Sequence, residues 1–314
     1  MSDPEVDPRV ALVVAVLAVS TSAVLVRASD APASVAAAYR VALTTVVVAP
    51  LALGHDPDAF RRLAGRDLLA AGLTGVALAV HFAAWFESLA WTSVAASVTL
   101  VQAQPLFVAV GAWALLDERV TRGTTAGILV AVAGIAAMSV GELVGGTAVG
   151  PRPLYGNALA LVGAVMAAAY VLAGRSLRQR FPILPYVTVV YAVAAGCLFA
   201  FVVAEGHPVV DYAPREWLLF SLMALGPGVF GHTVLNWSLG HVESSLVSVS
   251  LLGEPVGSAV LALLLLSEVP GRWTLIGGVV VLAGIAVTAR SRAAEPTEPN
   301  PDRRPQSSGS DSSR

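Results

Sequence analysis

A chain of 314 residues that is 56% hydrophobic and 13% charged is built unlike a soluble domain, in which about a quarter of the residues are charged. A mean hydropathy of +0.75 and a net charge of -2 exclude a soluble globule, a disordered chain and a nucleic-acid binder, and leave a polytopic membrane protein. The single cysteine, Cys197, excludes an internal disulfide and a cysteine-rich metal site, and every basic residue is an arginine.

The first nine residues carry Asp3, Glu5 and Asp7 against Arg9, the wrong charge for the leading region of a signal peptide, so the first apolar segment is expected to stay as an anchor. Charge, proline and glycine then divide the chain into ten segments near the roughly 20 residues that a bilayer-crossing helix needs. They run 10–26, 32–53, 68–89, 92–115, 123–141, 155–174, 183–204, 217–239, 243–266 and 273–289. Continuous Ala/Leu/Val-rich runs such as Val94–Leu116 point to helices; a barrel would need alternating strands. The expected fold is all-α. Residues 1–9 form a cytoplasmic N-terminus, 10–141 a first five-helix unit, 142–154 a connection, 155–289 a second five-helix unit and 290–314 a disordered cytoplasmic tail rich in Ser, Pro, Asp and Arg.

Arginine placement orients the segments. With the N-terminus inside, fourteen arginines fall on the cytoplasmic side. Four fall outside (Arg27, Arg152, Arg215 and Arg272), and Arg40 lies within a span. Both termini are therefore expected in the cytoplasm.

Shifted by 150 positions, the chain aligns with itself without a gap. Gln104-Pro105 meets Glu254-Pro255, Glu118 meets Glu268, Arg122 meets Arg272, and Gly134-Ile135-Ala136 meets Gly284-Ile285-Ala286. The Pro, Glu, Arg and Gly matches would not come from low-complexity apolar sequence, so a duplication is expected. Each unit holds an odd number of spans, so the second must enter the membrane upside down. Inverted repeats are the architecture of alternating-access carriers, with the substrate site near the midplane between them.

Several residues then form a familiar set. Tyr39-Arg40 lies in span two, a polar-aromatic span three follows, and a short Ala-Trp-Thr-Ser-Val-Ala-Ala link leads to Pro105 in span four. Asp117-Glu118-Arg119 ends that span, and Gly127 and Gly134 lie in span five. The set recurs in weaker form in the second half. The chain resembles the EamA-type branch of the drug/metabolite transporter superfamily over about residues 9–290. The resemblance implies a ten-helix carrier with a central cavity that moves small metabolites such as amino acids. It does not name the substrate.

Ionisable groups inside a membrane are costly and are functional candidates by default. Arg40 reads either as an anchor for a substrate carboxylate or as a structural partner for a carboxylate or helix-end carbonyls. Glu254, beside Pro255, reads as a substrate or proton site or as a cap for loosened backbone; its mate is the neutral Gln104. His81 and Trp85 lie four apart on one face of span three, and His232 and Asn236 do so in span eight. Both pairs are candidates for the cavity wall and equally for interhelical packing. Of Gln102 and Gln104, which point about 200° apart on a helix, Gln104 beside Pro105 is the expected cavity residue. Pro105 and Pro255 are expected to kink their spans, and Gly226 and Gly228 to loosen span eight into a hinge. Glu118 and Glu268, at equivalent span ends, are expected to be structural.

No metal or other cofactor is expected. The partners expected are a small-molecule substrate, the lipid bilayer and coupled protons. The alternatives are a membrane-embedded enzyme and a sensor or structural subunit without transport activity. Neither H-E-x-x-H nor a G-x-S-x-G elbow is present. The G-x-G-x-x-G match at Gly226–Gly231 lies inside a membrane span with no strand before it. No P-loop is present, so energy is expected to come from a solute or ion gradient. The fitting activity is a secondary permease of the cell membrane, an exporter of small polar metabolites.

Overall fold

The computed structural model describes residues 7–56, 58, 60, 65–116, 120–145, 149–178, 182–231, 234 and 250–293. Among them the chain is helical throughout, with no strand. The helices are α1 (Pro8–Arg27), α2 (Ala33–His55), α3 (Arg66–Trp91), α4 (Val94–Val101), α5 (Gln104–Leu116), α6 (Arg122–Gly145), α7 (Pro153–Arg178), α8 (Ile183–Ala204), α9 (Pro214–Met223), α10 (Gly253–Leu266) and α11 (Arg272–Ala293). A π-helical turn, Ala224–Gly231, continues α9. Among the described residues, eight segments are long and apolar enough to cross a membrane. They cover the expected spans one to seven and ten. The end of span eight and the start of span nine lie outside the described residues.

Local chemistry sets the ends. Pro32 and Pro182 precede α2 and α8 with nearly the same backbone angles (φ -52°, ψ 143° and φ -57°, ψ 145°), and the two helices start 150 residues apart. Ser93 caps α4 by accepting the Ala96 N–H at 3.1 Å. Pro214 occupies the first turn of α9, where its missing N–H costs nothing. Gly206, at φ +75°, closes α8, with the His207 N–H returning to the Val202 carbonyl at 3.1 Å.

Span four differs from its expected form: it is broken in two instead of kinked. α4 stops at Val101, the Ala103 N–H turns back to the Leu100 carbonyl at 3.1 Å, and α5 begins at Gln104. Pro105 sits in the first turn of α5, a position that needs no donor. The second half repeats the device. Leu252 is a turn residue, α10 starts at Gly253, and Pro255 lies in its first turn.

Packing follows the 150-residue shift. α2 lies along α8, and α6 along α11. α3 packs on α7 as α1 packs on α9 and its π turn, and α7 meets α4 and α5 as α1 meets α10. Glycine makes the α6–α11 contact possible. A Cβ on Gly127 would stand 2.7 Å from the Gly284 carbonyl oxygen, and one on Gly284 would stand 2.6 Å from that of Gly127. Gly134 and Gly277 repeat the pair at 2.7 and 2.6 Å. Since 127 maps to 277 and 134 to 284, the shift turns one pair into the other. α10 reaches α1 by the same means: a Cβ on Gly257 would lie 2.4 Å from Ser20 Oγ.

Candidate functional site

The site is built where α1, α2, α3, α8, the α4–α5 break and the start of α10 converge. Arg40 of α2 is 5% exposed, and its Nη1 donates to Ser22 Oγ of α1 at 2.6 Å. α3 supplies the rest of its enclosure. Phe82, Trp85 and Phe86 share a helical face, and their ring centres lie 4.8, 5.6 and 5.5 Å from the guanidinium carbon. Those distances are within cation–π range. A flat, delocalised cation that is weakly hydrated suits such a box better than a lysine would.

His81 continues the face. Its ring centre lies 5.8 Å from that of Trp85 and 4.8 Å from that of Phe82. Its Nδ1 is 2.9 Å from the Gly163 carbonyl of α7. A carbonyl can only accept, so Nδ1 carries the proton. The indole N–H of Trp85 is buried and has no hydrogen-bond partner. Buried donors of this kind are rare enough to call for an explanation.

The second wall is acidic. Glu254, in the first turn of α10, accepts the Gln102 amide through Oε2 at 2.5 Å. Ser20 Oγ donates to the Val16 carbonyl at 2.7 Å and approaches the Glu254 carbonyl at 3.3 Å, and Ser258 Oγ donates to the Ser20 carbonyl at 2.9 Å. Arg40, Glu254 and Tyr191 of α8 are close enough to interact electrostatically. Beside Arg40 and Tyr191 remains a cavity of about 20 Å³ lined by Arg40, Val41, Thr44, Phe82, Tyr191 and Gly228. That is room for about one water, so the site is closed around its own polar groups. Val41 and Tyr191, 150 residues apart, face each other across it.

Of the residues expected from sequence, Arg40, His81, Trp85 and Glu254 come together here. The residue on the Glu254 carboxylate is Gln102; Gln104, the residue expected to face the cavity, opens α5. The two-residue break turns the chain between them, so their angular relation on a continuous helix does not apply. Gly228 lies in the π turn, beside Thr44. Such a widened turn frequently marks a functional position. Gly226 lies in the same turn, with nothing within 4 Å of a Cβ placed on it. His232, Asn236 and Glu118 lie outside the described residues. Glu268 stands apart from the site. Ser267 turns the end of α10 at φ +55°, and Glu268 Oε1 then accepts the Val94 N–H at 2.6 Å while Oε2 meets Arg27 at 3.3 Å.

Ser22, Gln102, Phe86 and Tyr191 are the residues that sequence reasoning missed. A hydroxyl one turn below the end of span one and a tyrosine among five in the second half carry no pattern of their own. Gln102 could have been found by allowing the chain to break before Pro105.

Known proteins have similar sequences. The EamA-like transporter family matches twice, over residues 9–140 and 154–290. A probable terminal-alkyne amino-acid exporter of Streptantibioticus cattleyicolor is 29% identical over 78% of this chain and 81% of its own length. The pseudopaline exporter of Pseudomonas aeruginosa is 29% identical over 83% and 87%. An uncharacterized transporter of Archaeoglobus fulgidus is 26% identical over 69% and 73%. A crystal structure superposes with a TM-score of 0.61 over 92% of this chain and 99% of its own, at 22% identity, which speaks for the fold alone. A multi-pass helical chain that matches the family in both halves is a membrane transporter, and this protein belongs to the EamA-like transporter family of the drug/metabolite transporter superfamily.

Proposed function

We propose that the chain is a secondary active exporter of small zwitterionic metabolites of the amino-acid type, working in the cell membrane by alternating access between two inverted five-helix repeats. The observation that carries the reading is the closed central site. It holds one buried guanidinium in an aromatic box and one carboxylate at a helix break, close enough to feel each other. A zwitterion would present its carboxylate to Arg40 and the indole N–H of Trp85. Its ammonium would meet Glu254 and the hydroxyl of Tyr191. Arg40 and Glu254 would then exchange Ser22 and Gln102 for substrate atoms, the Trp85 N–H would gain an acceptor, and the substrate would not leave a buried charge unpaired.

The inverted arrangement is supported by the glycine pairs of α6 and α11, which the 150-residue shift exchanges, and by the family matching once in each half. The two helix breaks, at Gln102-Ala103 and Leu252, put irregular backbone at the site, where carriers place it. A cavity this small admits no metabolite until the halves move. Rocking of residues 10–141 against 155–289 opens it to one side at a time. The relatives named as exporters, one of an amino acid, support the direction and the substrate class. Glu254 takes up a proton from one side when the substrate leaves it, which couples export to the proton gradient.

The test is competition for binding to purified protein in detergent, using a labelled neutral amino acid. Its methyl ester lacks the carboxylate, and its N-acetyl derivative lacks the ammonium. The reading requires both derivatives to compete poorly. Equal competition by all three would overturn the zwitterion assignment.

A further inference from the structure

A second cavity, of about 530 Å³, lies away from the central site between α3, α7, α8 and the start of α2. Its apolar floor is a helical stripe on α3. Val76, Ala79, Val80, Ala83 and Glu87 fall at successive helical repeats, and the small alanines leave the space that α7 and α8 do not fill. Val76, Val80, Val162 and Phe201 on its walls are between 40 and 46% exposed. In a membrane-crossing bundle such side chains face lipid, so the cavity opens sideways into the bilayer.

Its polarity is ordered along its length. Every polar group lies at one end: Glu87 near the close of α3, Glu205 at the close of α8, Ser34 at the start of α2 and Tyr155 at the start of α7. From Val76 to Glu87 the stripe rises roughly 16 Å at 1.5 Å per residue, about half of a hydrocarbon core of ~30 Å. The groove is therefore one leaflet deep, apolar toward the midplane and acidic at the interface.

The acidic end is partly organised. Glu87 accepts the Trp91 indole N–H at 2.7 Å. Glu205 accepts Ser34 Oγ at 2.6 Å and has His207 at 3.8 Å. Arg152 lies over the Trp91 ring at 5.5 Å, and Trp91 meets Tyr155 edge-on at 5.4 Å, so a guanidinium sits just beyond Glu87. Carboxylates can accept from an ammonium, and a guanidinium can donate to a phosphate.

We propose that this cavity is a lipid site that seats one acyl chain of phosphatidylethanolamine, with its ammonium at Glu87 and Glu205 and its phosphate toward Arg152. The match is in length, in the direction of polarity and in the order of charges. Phosphatidylglycerol offers the same chain and phosphate but no cation. The site stands whether or not the central one carries a zwitterion.

The experiment uses full-length protein in nanodiscs of equimolar phosphatidylethanolamine and phosphatidylglycerol, released into a native mass spectrometer. The expected result is retention of phosphatidylethanolamine over phosphatidylglycerol by about tenfold, within the worth of one charge-assisted hydrogen bond. The near-isosteric double variant Glu87→Gln/Glu205→Gln should abolish the preference. Cys197, the single cysteine, lines the cavity and reports on it directly. Its alkylation by a maleimide should be slower in phosphatidylethanolamine nanodiscs than in phosphatidylglycerol ones, and Ala83→Phe, which fills the groove, should remove that difference. Equal retention of the two lipids would overturn the proposal. So would a preference unchanged in the glutamine variant, which needs no repacking to fold, or a change of oligomeric mass in Ala83→Phe, which would make this face a contact between copies.

Discussion

Gln102 donates its amide to the carboxylate of Glu254 at 2.5 Å, joining the helix break of the first half to that of the second. Both residues sit where a membrane helix is interrupted. The contact ties the two halves of the chain at the floor of the central site, opposite the guanidinium of Arg40.

That contact makes Glu254→Gln informative. The variant keeps shape and hydrogen-bonding capacity but cannot exchange a proton. Counterflow of substrate at equal pH is expected to continue, while efflux driven by an imposed pH step is expected to vanish. Proteoliposomes with a pH jump distinguish the two. Unaltered pH-driven efflux would remove Glu254 from the coupling step.

Arg40→Lys keeps the charge but loses the flat face against Phe82, Trp85 and Phe86. A desolvated cation–π box is worth about 2 kcal/mol, so substrate affinity is expected to fall roughly 30-fold. Arg40→Ala should bind no zwitterion measurably. Binding titrations on protein shown to be monodisperse check both. Normal affinity in Arg40→Lys would reduce the box to packing.

The α6–α11 seam predicts paired effects. Gly127→Val and Gly277→Val occupy mate positions, and each would press a side chain into backbone of the facing helix. Overpacking of this kind costs about 1–3 kcal/mol, so both should lower the thermal midpoint in detergent, and by similar amounts. Gly196→Ala is the control. Nothing lies within 4 Å of its Cβ position, and in a helix alanine should stabilise by up to about 1 kcal/mol.

Glu268 is expected to act on stability. Glu268→Ala strands the Val94 N–H and leaves Arg27 only the Thr92 carbonyl, a loss of about 1–3 kcal/mol. Glu268→Gln still accepts the N–H and should cost less. Thermal unfolding of the two variants, with substrate affinity unchanged, is the check. A loss of affinity greater than the loss of stability would give Glu268 a place in binding.

The seven spans legible as continuous apolar runs, one to three and five to seven together with ten, lie within a few residues of their helices because length and hydrophobicity alone define them. The breaks were less legible. Pro105 signals a distortion, but whether a proline kinks a helix or begins a new one depends on whether its carbonyl partners find other donors. Here the chain turns at Ala103, whose N–H returns to the Leu100 carbonyl, and a new helix begins at Gln104. Arg40 and Glu254 stood out as charges inside spans. The aromatic box could be guessed from the spacing of Phe82, Trp85 and Phe86, but its target could not, because the contact lies between two helices. Ser22 and Tyr191 carry no pattern at all. Their roles come only from the packing of α1 and α8 around Arg40.

The most direct test of the account is counterflow. Proteoliposomes holding the purified protein are preloaded with an unlabelled neutral amino acid, and the labelled compound is presented outside at equal pH. The account predicts a transient accumulation of label that neither the methyl ester nor the N-acetyl derivative produces. No accumulation for any member of a broad amino-acid panel, from folded protein, would contradict the assignment of the central site to a zwitterion carrier.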